Sequence, residues 1–333
     1  MRVGVVGASG AVGTTLLRVL EERAFPVDRL RLLATGRSAG RRVRFASTEV
    51  EIEPTGPESF SGLDVCFLAV PGAAAGRALA PRAVAAGALV IDKGSAFRLE
   101  PGVPLVVPEV NPGAIPRGPG LVASPNCTTI PLVLCLEPLR AAVGLRRVIV
   151  STYQSASGAG RSGQEELRAG AEAVLAGREP VAAVFPQPLA FNVIPQCDRF
   201  GDLGYTQEEW KLVHETRKIL SQPELRLSAT AARVPVFVGH SESVFVETEA
   251  PVTVERARAL LAAAPGVTLR DDPAAGEYPS VRDVAGTDQA QVGRIRQEPG
   301  DTCGLHLWVV GDNLRKGAAT NAVQIAEEWI RRQ

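Results

Sequence analysis

Histidine and lysine are scarce in this 333-residue chain, with three histidines (His214, His240, His306) and four lysines (Lys93, Lys211, Lys218, Lys316). The five cysteines, Cys66, Cys127, Cys135, Cys197 and Cys303, are odd in number, scattered and without a C-x-x-C pair. That pattern argues against a disulfide framework and a structural zinc site, and the few histidines leave little for any other metal centre. Charge of one sign is absent in excess: 36 basic residues face 36 acidic ones, at a pI near 6.9. Such a balance gives no electrostatic reason to expect nucleic acid or an anionic membrane as partner. Apolar runs such as Ile130 to Leu136 reach seven residues, far below the ~20 needed to span a bilayer. The chain opens on a strand-like Val3-Gly4-Val5-Val6 without a charged leader and apolar core, so no signal peptide is expected and the reading is a soluble, cytosolic protein.

At 45% hydrophobic and 22% charged residues the composition is globular, and the length suggests two domains. The first half alternates β-rich runs with Ala/Leu-rich stretches, the rhythm of βαβ units on a parallel sheet. Strands are expected at Arg2–Val6, Leu30–Ala34, Val65–Ala69, Leu89–Ile91, Leu105–Val107 and Leu121–Ala123, with helices over Ala11–Arg23 and Ala73–Ala86. The rhythm then changes: a helix over Ile130–Ala142, a strand at Arg147–Tyr153 and a Gly/Ser-rich turn from Ser155 to Gly163. Further strands are expected at Ala229–Val238, Val244–Thr248, Val292–Ile295 and Leu305–Val310, before a closing helix at Ala319–Arg331.

Two motifs carry chemistry. Gly7-Ala8-Ser9-Gly10-Ala11-Val12-Gly13 joins the first strand to the first helix, where glycines permit a tight turn and the helix N-terminus offers free N–H groups to a pyrophosphate. The spacing is G-x-x-G-x-x-G, looser than G-x-G-x-x-G, and a glycine turn without a ligand is the alternative. The second strand runs out as Ala34-Thr35-Gly36-Arg37-Ser38. It lacks the carboxylate that takes the ribose 2′-OH of NAD, so Arg37 with Ser38 suits the 2′-phosphate of NADP; the alternative for Arg37 is a solvated loop arginine. The other motif, Ser124-Pro125-Asn126-Cys127-Thr128-Thr129, sets a cysteine at the start of an apolar helix. The helix dipole there favours a nucleophilic thiolate, and an inert cap-region cysteine is the alternative. Cys66 and Cys135 lie in apolar runs and read as packing residues, while Cys197 and Cys303 have no comparable polar setting.

Four stretches together resemble the aspartate-β-semialdehyde dehydrogenase family: Ser124–Thr129, Val150–Gly160 (VSTYQSASGAG), Arg233–Ser243 (RVPVFVGHSES) and Trp308–Ala318 (WVVGDNLRKGA). They come in the family's order, and the last three are specific. The resemblance implies an α/β protein with an N-terminal Rossmann-like NADP-binding domain over 1–127, completed by a C-terminal helix at about 314–333. An α+β catalytic and dimerisation domain with a mixed sheet would fill 128–313. It also implies a cytoplasmic homodimer that reduces L-4-aspartyl phosphate with NADPH to aspartate 4-semialdehyde and phosphate. That reaction feeds lysine, threonine, methionine and diaminopimelate synthesis.

Carried over residue by residue, the resemblance makes Cys127 the nucleophile that forms a thioester and His240 the general acid/base. Arg233 would grip the substrate carboxylate with its planar fork, and Gln154 and Glu208 would hold the substrate. Arg98, Lys211 and Asn126 would take phosphate. Gly7, Ser9, Gly10, Ala11, Val12, Arg37, Ser38, Ser157, Gly158 and Asn313 would contact NADP, and no metal is implied. Gly311 stands before Asp312-Asn313 where many relatives have Ser. The rival readings are the sister reductase of N-acetyl-γ-glutamyl phosphate, whose cysteine usually follows a glycine and not the Asn126 present here, and a non-catalytic dinucleotide-binding paralogue. The retained set Cys127, Gln154, Arg233 and His240 argues against the second.

Overall fold

The computed structural model describes residues 1–36, 38–70 and 72–333. Two compact units divide it, Met1–Asn126 with Ala318–Gln333, and Cys127–Gly317. Arg37, assigned to NADP by the sequence, lies outside the described residues.

The first unit is built on a seven-stranded sheet of β1 (Arg2–Val6), β2 (Arg29–Ala34), β3 (Arg42–Phe45), β4 (Thr48–Pro54), β5 (Val65–Leu68), β6 (Leu89–Asp92) and β7 (Gly120–Ala123). The order is β3-β4-β2-β1-β5-β6-β7, and every pairing is parallel except the β3–β4 hairpin. Val3, Val5, Val65, Phe67, Leu89 and Ile91 are buried, because strands of a parallel sheet covered on both faces read as continuous apolar runs. The sequential order reverses on either side of β1, the switch point at which such sheets bind ligands. From β1 the chain turns into α1 (Ala11–Glu22), and α2 (Ala73–Ala85) follows β5.

The C-terminal helix, Thr320–Arg331, completes this unit's core with Ala322, Val323, Ile325, Ala326 and Trp329. It is fastened by an Arg23–Glu327 ion pair at 2.6 Å, by Trp329 Nε1 donating to the Gly118 carbonyl at 3.1 Å, and by Asn321 Nδ2 donating to the Val106 carbonyl at 3.0 Å. Leu105–Val107 is not a strand. Leu105 makes a single bridge to Ala123, because Pro104 and Pro108 on either side cannot donate to a ladder.

The second unit holds α3 (Thr129–Val143), β8 (Leu145–Gln154), α4 (Gly160–Leu175), α5 (Gln207–Ile219), β9 (Arg226–Arg233), β10 (His240–Thr248), α6 (Val254–Ala262), β11 (Val267–Leu269), α7 (Val281–Val284), β12 (Ala290–Glu298) and β13 (Asp301–Gly311). Its sheet is mixed, ordered β11-β12-β13-β10-β8-β9, with β8–β9 and β11–β12 parallel and the remainder antiparallel. Helix α3 is buried on every side over residues 129–136, as a helix enclosed in a core must be, while its second half reaches the surface with the Glu137–Arg140 ion pair. On the sheet's other face Ile149, Tyr153, Phe245 and Trp308 are half-buried, with the Tyr153 and Trp308 rings 5.5 Å apart.

Two further expected elements differ. The strand expected to run to Val238 ends at Arg233, where Val234 and Pro235 begin a loop that reaches β10 only at His240. The Gly/Ser-rich turn is brief: a 3-10 turn over Ala156–Ala159 leads at once into α4. Among the described residues no helix is long and apolar enough to cross a membrane.

Candidate active site

The glycine turn comes first in the chain. Gly7 sits at φ +84°, and a Cβ there would lie 2.4 Å from the Ala69 carbonyl oxygen, so only glycine fits between β1 and the residue after β5. A Cβ on Gly13 would meet the Gly7 carbonyl at 2.2 Å, which lets α1 pack directly on the turn. No side chain caps α1 and no acidic residue occupies its first turn, so its amides and dipole suit an anion. Ser9 Oγ donates to Ser38 Oγ at 3.0 Å, bringing the glycine turn and the end of β2 together. This cradle fits a dinucleotide phosphate.

Arg98 and Asn126 also belong to the first unit, and both are buried. Arg98 donates through Nε to the Gly94 carbonyl at 3.0 Å and through Nη2 to the Lys93 carbonyl at 2.9 Å, which organises the loop after β6.

The remaining expected residues converge within the second unit. Cys127 precedes Thr128, the N-cap of α3, and its Sγ lies 3.3 Å from Nε2 of His240, the first residue of β10. Cys127 is half-buried. The other thiols of the core are poorly suited to ionise: burial pushes Cys66 and Cys197 up to about 12 and raises Cys135 further still. Cys197 is not the bland cysteine the sequence implied. It is buried where the charges of Arg233, Glu208 and Cys127 are felt, in the wall of the same site.

Gln154 and Arg233 end the parallel strands β8 and β9 as register partners. The loop from Val234 to Gly239 carries the chain past the end of β8, with Val234 N donating to the Gln154 carbonyl and Ala156 N to the Val236 carbonyl. Arg233 and His240, seven residues apart, are thereby returned to one end of the sheet. The Arg233 guanidinium donates through Nη1 to the Ser155 carbonyl at 2.8 Å and rests 5.7 Å from the Phe185 ring centroid. It is buried and has no carboxylate partner among the described residues. A buried cation without a counter-ion is costly and favours an incoming carboxylate. Gly158 makes room for it, since a Cβ there would lie 2.6 Å from Arg233 Nη1.

Helix α5 supplies Glu208 and Lys211. Its start is fixed by a capping box, Thr206 N donating to Glu209 Oε2 at 2.6 Å and Glu209 N to Thr206 Oγ1 at 3.3 Å. Glu209 also accepts from Ala231 N at 2.8 Å, tying the helix to β9. Glu208 then accepts from Gln154 Nε2 at 3.2 Å and, with its other oxygen, from Lys211 Nζ at 3.0 Å. Asp198, which sequence reasoning passed over, takes Lys211 from the other side at 2.8 Å. Burial works against the Lys211 charge, but Glu208 and Asp198 more than offset it and hold the ammonium above its ordinary value. Lys211 is thus clamped between two carboxylates. Asp198 stands at φ +68°, an uncommon conformation that a functional setting can retain.

Asn313 completes the group. Its Oδ1 accepts from Gly239 N at 2.9 Å, from Ser157 Oγ at 3.0 Å and from Ser155 Oγ at 3.3 Å. A backbone N–H can only donate, so the amide is oriented unambiguously and its NH₂ is left to other partners. Among the described residues no group of three His, Cys, Asp or Glu could hold a metal ion.

This arrangement, a cysteine paired with a histidine and flanked by a buried arginine, can perform acyl transfer to sulfur with a carboxylate-bearing substrate. Known proteins agree in sequence and structure. Residues 2–117 match the model of the semialdehyde dehydrogenase NAD-binding domain, and residues 136–316 that of the semialdehyde dehydrogenase dimerisation domain. An aspartate-semialdehyde dehydrogenase of Bacillus subtilis is 48% identical, with 98% of this chain and 96% of the relative covered. One from Legionella pneumophila is 48% identical over 98% and 95%. A crystal structure described as aspartate semialdehyde dehydrogenase II of Vibrio cholerae complexed with ASA superposes with a TM-score of 0.96. It shares 45% identity and covers 99% of this chain and 98% of that one. With both family domains matched and near-half identity along its whole length, the chain belongs to the aspartate-semialdehyde dehydrogenase family.

Proposed function

We propose that this chain reduces L-4-aspartyl phosphate to L-aspartate 4-semialdehyde and inorganic phosphate through a thioester on Cys127, serving lysine, threonine, methionine and diaminopimelate synthesis. The observation that carries the reading is the 3.3 Å approach of Cys127 Sγ to His240 Nε2 beside a buried Arg233 that has no ion-pair partner among the described residues. Cys127 attacks the acyl carbon, with the dipole of α3 favouring its thiolate. His240 governs the proton and hydrogen bonding at the sulfur. Arg233 binds the substrate α-carboxylate, Glu208 the amine, and Gln154 holds the acyl group beside the cysteine. Arg98 and Asn126 take the phosphate, joined by Lys211 once it leaves Asp198.

NADPH, when bound, supplies the hydride that reduces the thioester. Its pyrophosphate is assigned to the turn of Gly7, Ser9, Gly10, Ala11 and Val12. The nicotinamide is assigned to Ser157, Gly158 and the free amide of Asn313. The preference for NADP over NAD is supported by the lack of a carboxylate at the end of β2 in the sequence and by Ser38, which lies there and accepts from Ser9 Oγ. Replacing Arg37 with Ala is expected to raise the KM for NADP with little change for NAD; equal losses for both cofactors would sink the assignment of Arg37 to the 2′-phosphate.

The protein acts as a homodimer through its dimerisation domain, consistent with the half-buried aromatic face of the second sheet. We place it in the cytoplasm, in keeping with five free thiols. The test is a phosphate-coupled assay of NADP reduction with aspartate semialdehyde and with N-acetylglutamate semialdehyde. Turnover of the first alone is expected, and turnover of the second alone overturns the assignment.

A further inference from the structure

Phe185 has no assigned part in the reaction, yet its ring centroid lies 5.7 Å from the Arg233 guanidinium carbon. Both residues are buried. Among the described residues the Arg233 side chain makes one hydrogen bond, from Nη1 to the Ser155 carbonyl, and its remaining N–H groups are left for a substrate carboxylate. A carboxylate supplied by the protein would occupy those donors. An aromatic face attracts the cation without accepting from the edge of the fork.

The ring is itself held in place. Glu166, on α4, accepts from the backbone N–H groups of Ala183 at 2.8 Å, of Val184, and of Phe185 at 3.3 Å, so one carboxylate gathers three successive amides. Gly163, one turn earlier on the same helix, makes room: a Cβ there would lie 3.0 Å from Phe185 Cζ. Further along, Ile194 N donates to the Arg233 carbonyl at 3.0 Å and Arg233 N to the Ile194 carbonyl at 2.8 Å. The segment from Ala183 to Ile194 thus grips Arg233 twice, by its backbone at Ile194 and by its guanidinium at Phe185.

We propose that Phe185, set in place by Glu166, is a positioning residue that holds the Arg233 guanidinium with its fork open to the substrate carboxylate. This rests on the reading of Arg233 as the carboxylate anchor. A loose guanidinium would have to be ordered each time a substrate binds, at the expense of affinity. Phe185 and Glu166 complete that ordering when the chain folds. The contribution is to binding, so its loss raises KM, while the groups that act at Cys127 are untouched and kcat is spared.

The test is steady-state kinetics with aspartate semialdehyde, NADP and phosphate. Phe185→Leu keeps an apolar side chain in the cluster with Leu167, Leu189 and Ile194 but removes the aromatic face. It is expected to raise the KM for aspartate semialdehyde about five- to tenfold, the scale of a desolvated cation–π contact, with kcat within about twofold and the KM for NADP unchanged. Phenylalanine bearing ring fluorines, installed at position 185, keeps the outline of the ring and weakens its face, and should give an intermediate KM. Leu189→Ala loosens the same cluster and should lower the melting temperature without moving KM. Glu166→Gln should raise the KM in the same sense, and its effect should largely vanish in the Phe185→Leu background, because both act through one ring. An unchanged KM in Phe185→Leu, a fluorinated ring that behaves as the native one, or an equal KM shift in Leu189→Ala overturns the proposal. The anchor reading fails separately: Arg233→Lys would then leave the KM for aspartate semialdehyde unchanged, whereas a raised KM there beside an unchanged one in Phe185→Leu removes only Phe185.

Discussion

Gln154 and Arg233 face each other across the last rung of the parallel β8–β9 ladder, and the chain between Arg233 and His240 loops past that rung. One end of one sheet therefore fixes three side chains that the sequence separates by as many as 86 positions. If Arg233 holds the substrate carboxylate throughout the reaction, Arg233→Lys keeps the charge but loses the fork. The expected outcome in steady-state kinetics is a KM for aspartate semialdehyde raised more than kcat is lowered. A fall confined to kcat would remove Arg233 from that role.

Cys127→Ser should fold normally and lose on the order of 10³-fold or more in kcat. Mass spectrometry after brief treatment with a thiol-directed alkylator should find Cys127 modified well before Cys66, Cys135 or Cys197, whose thiols burial holds in the protonated form. First labelling of Cys197 would point instead to the wall of the site.

Glu208, Lys211 and Asp198 carry one net negative charge at a place proposed above to take phosphate. Asp198→Asn neutralises the outer carboxylate and keeps a residue that tolerates φ +68°. In the phosphorylating direction its KM for phosphate should fall several-fold, Asp198 being partly exposed and its charge partly screened. A KM that is unchanged or higher would mean that the clamp orients Lys211 for binding.

Glu242, two residues beyond His240, is fully buried, and neither carboxylate oxygen has a hydrogen-bond partner among the described residues. Burial raises its pKa well above the ordinary value. The folded protein thus holds the Glu242 proton at a pH where the unfolded chain releases it. The associated stability is present below the unfolded pKa of about 4.3 and falls as pH rises toward the folded one. Glu242→Gln should therefore melt higher than the parent at pH 8 and about equal to it at pH 4. A gap in melting temperature that stays constant with pH would assign the effect to packing alone.

Much of the first unit is legible in sequence, because strands buried on both faces are unbroken apolar runs and the glycine turn marks its own helix. The β3–β4 hairpin is not: Arg42-Val43-Arg44-Phe45 and Thr48–Pro54 alternate charge with apolar residues at an edge. In the site, motif order finds Cys127, Gln154, Arg233 and His240. Asp198 escapes it because its partner is distant in sequence, Lys211 thirteen residues away. Likewise the clamp on Lys211 cannot be read from the spacing of Glu208 and Lys211, which predicts one of its two carboxylates.

The C-terminal helix sets an order of events during synthesis. The second unit is one uninterrupted stretch, whereas the first waits for Ala322, Val323, Ile325, Ala326 and Trp329 to complete its core. At roughly 5–20 residues per second, some tens of seconds pass between emergence of β7 and of those side chains. During that interval the nascent sheet presents a bare apolar surface to the ribosome's surroundings. The nucleotide-binding half, although made first, is the last to finish folding, and a message truncated even one helix early yields a catalytic half attached to a partner that chaperones and proteases would recognise as incomplete.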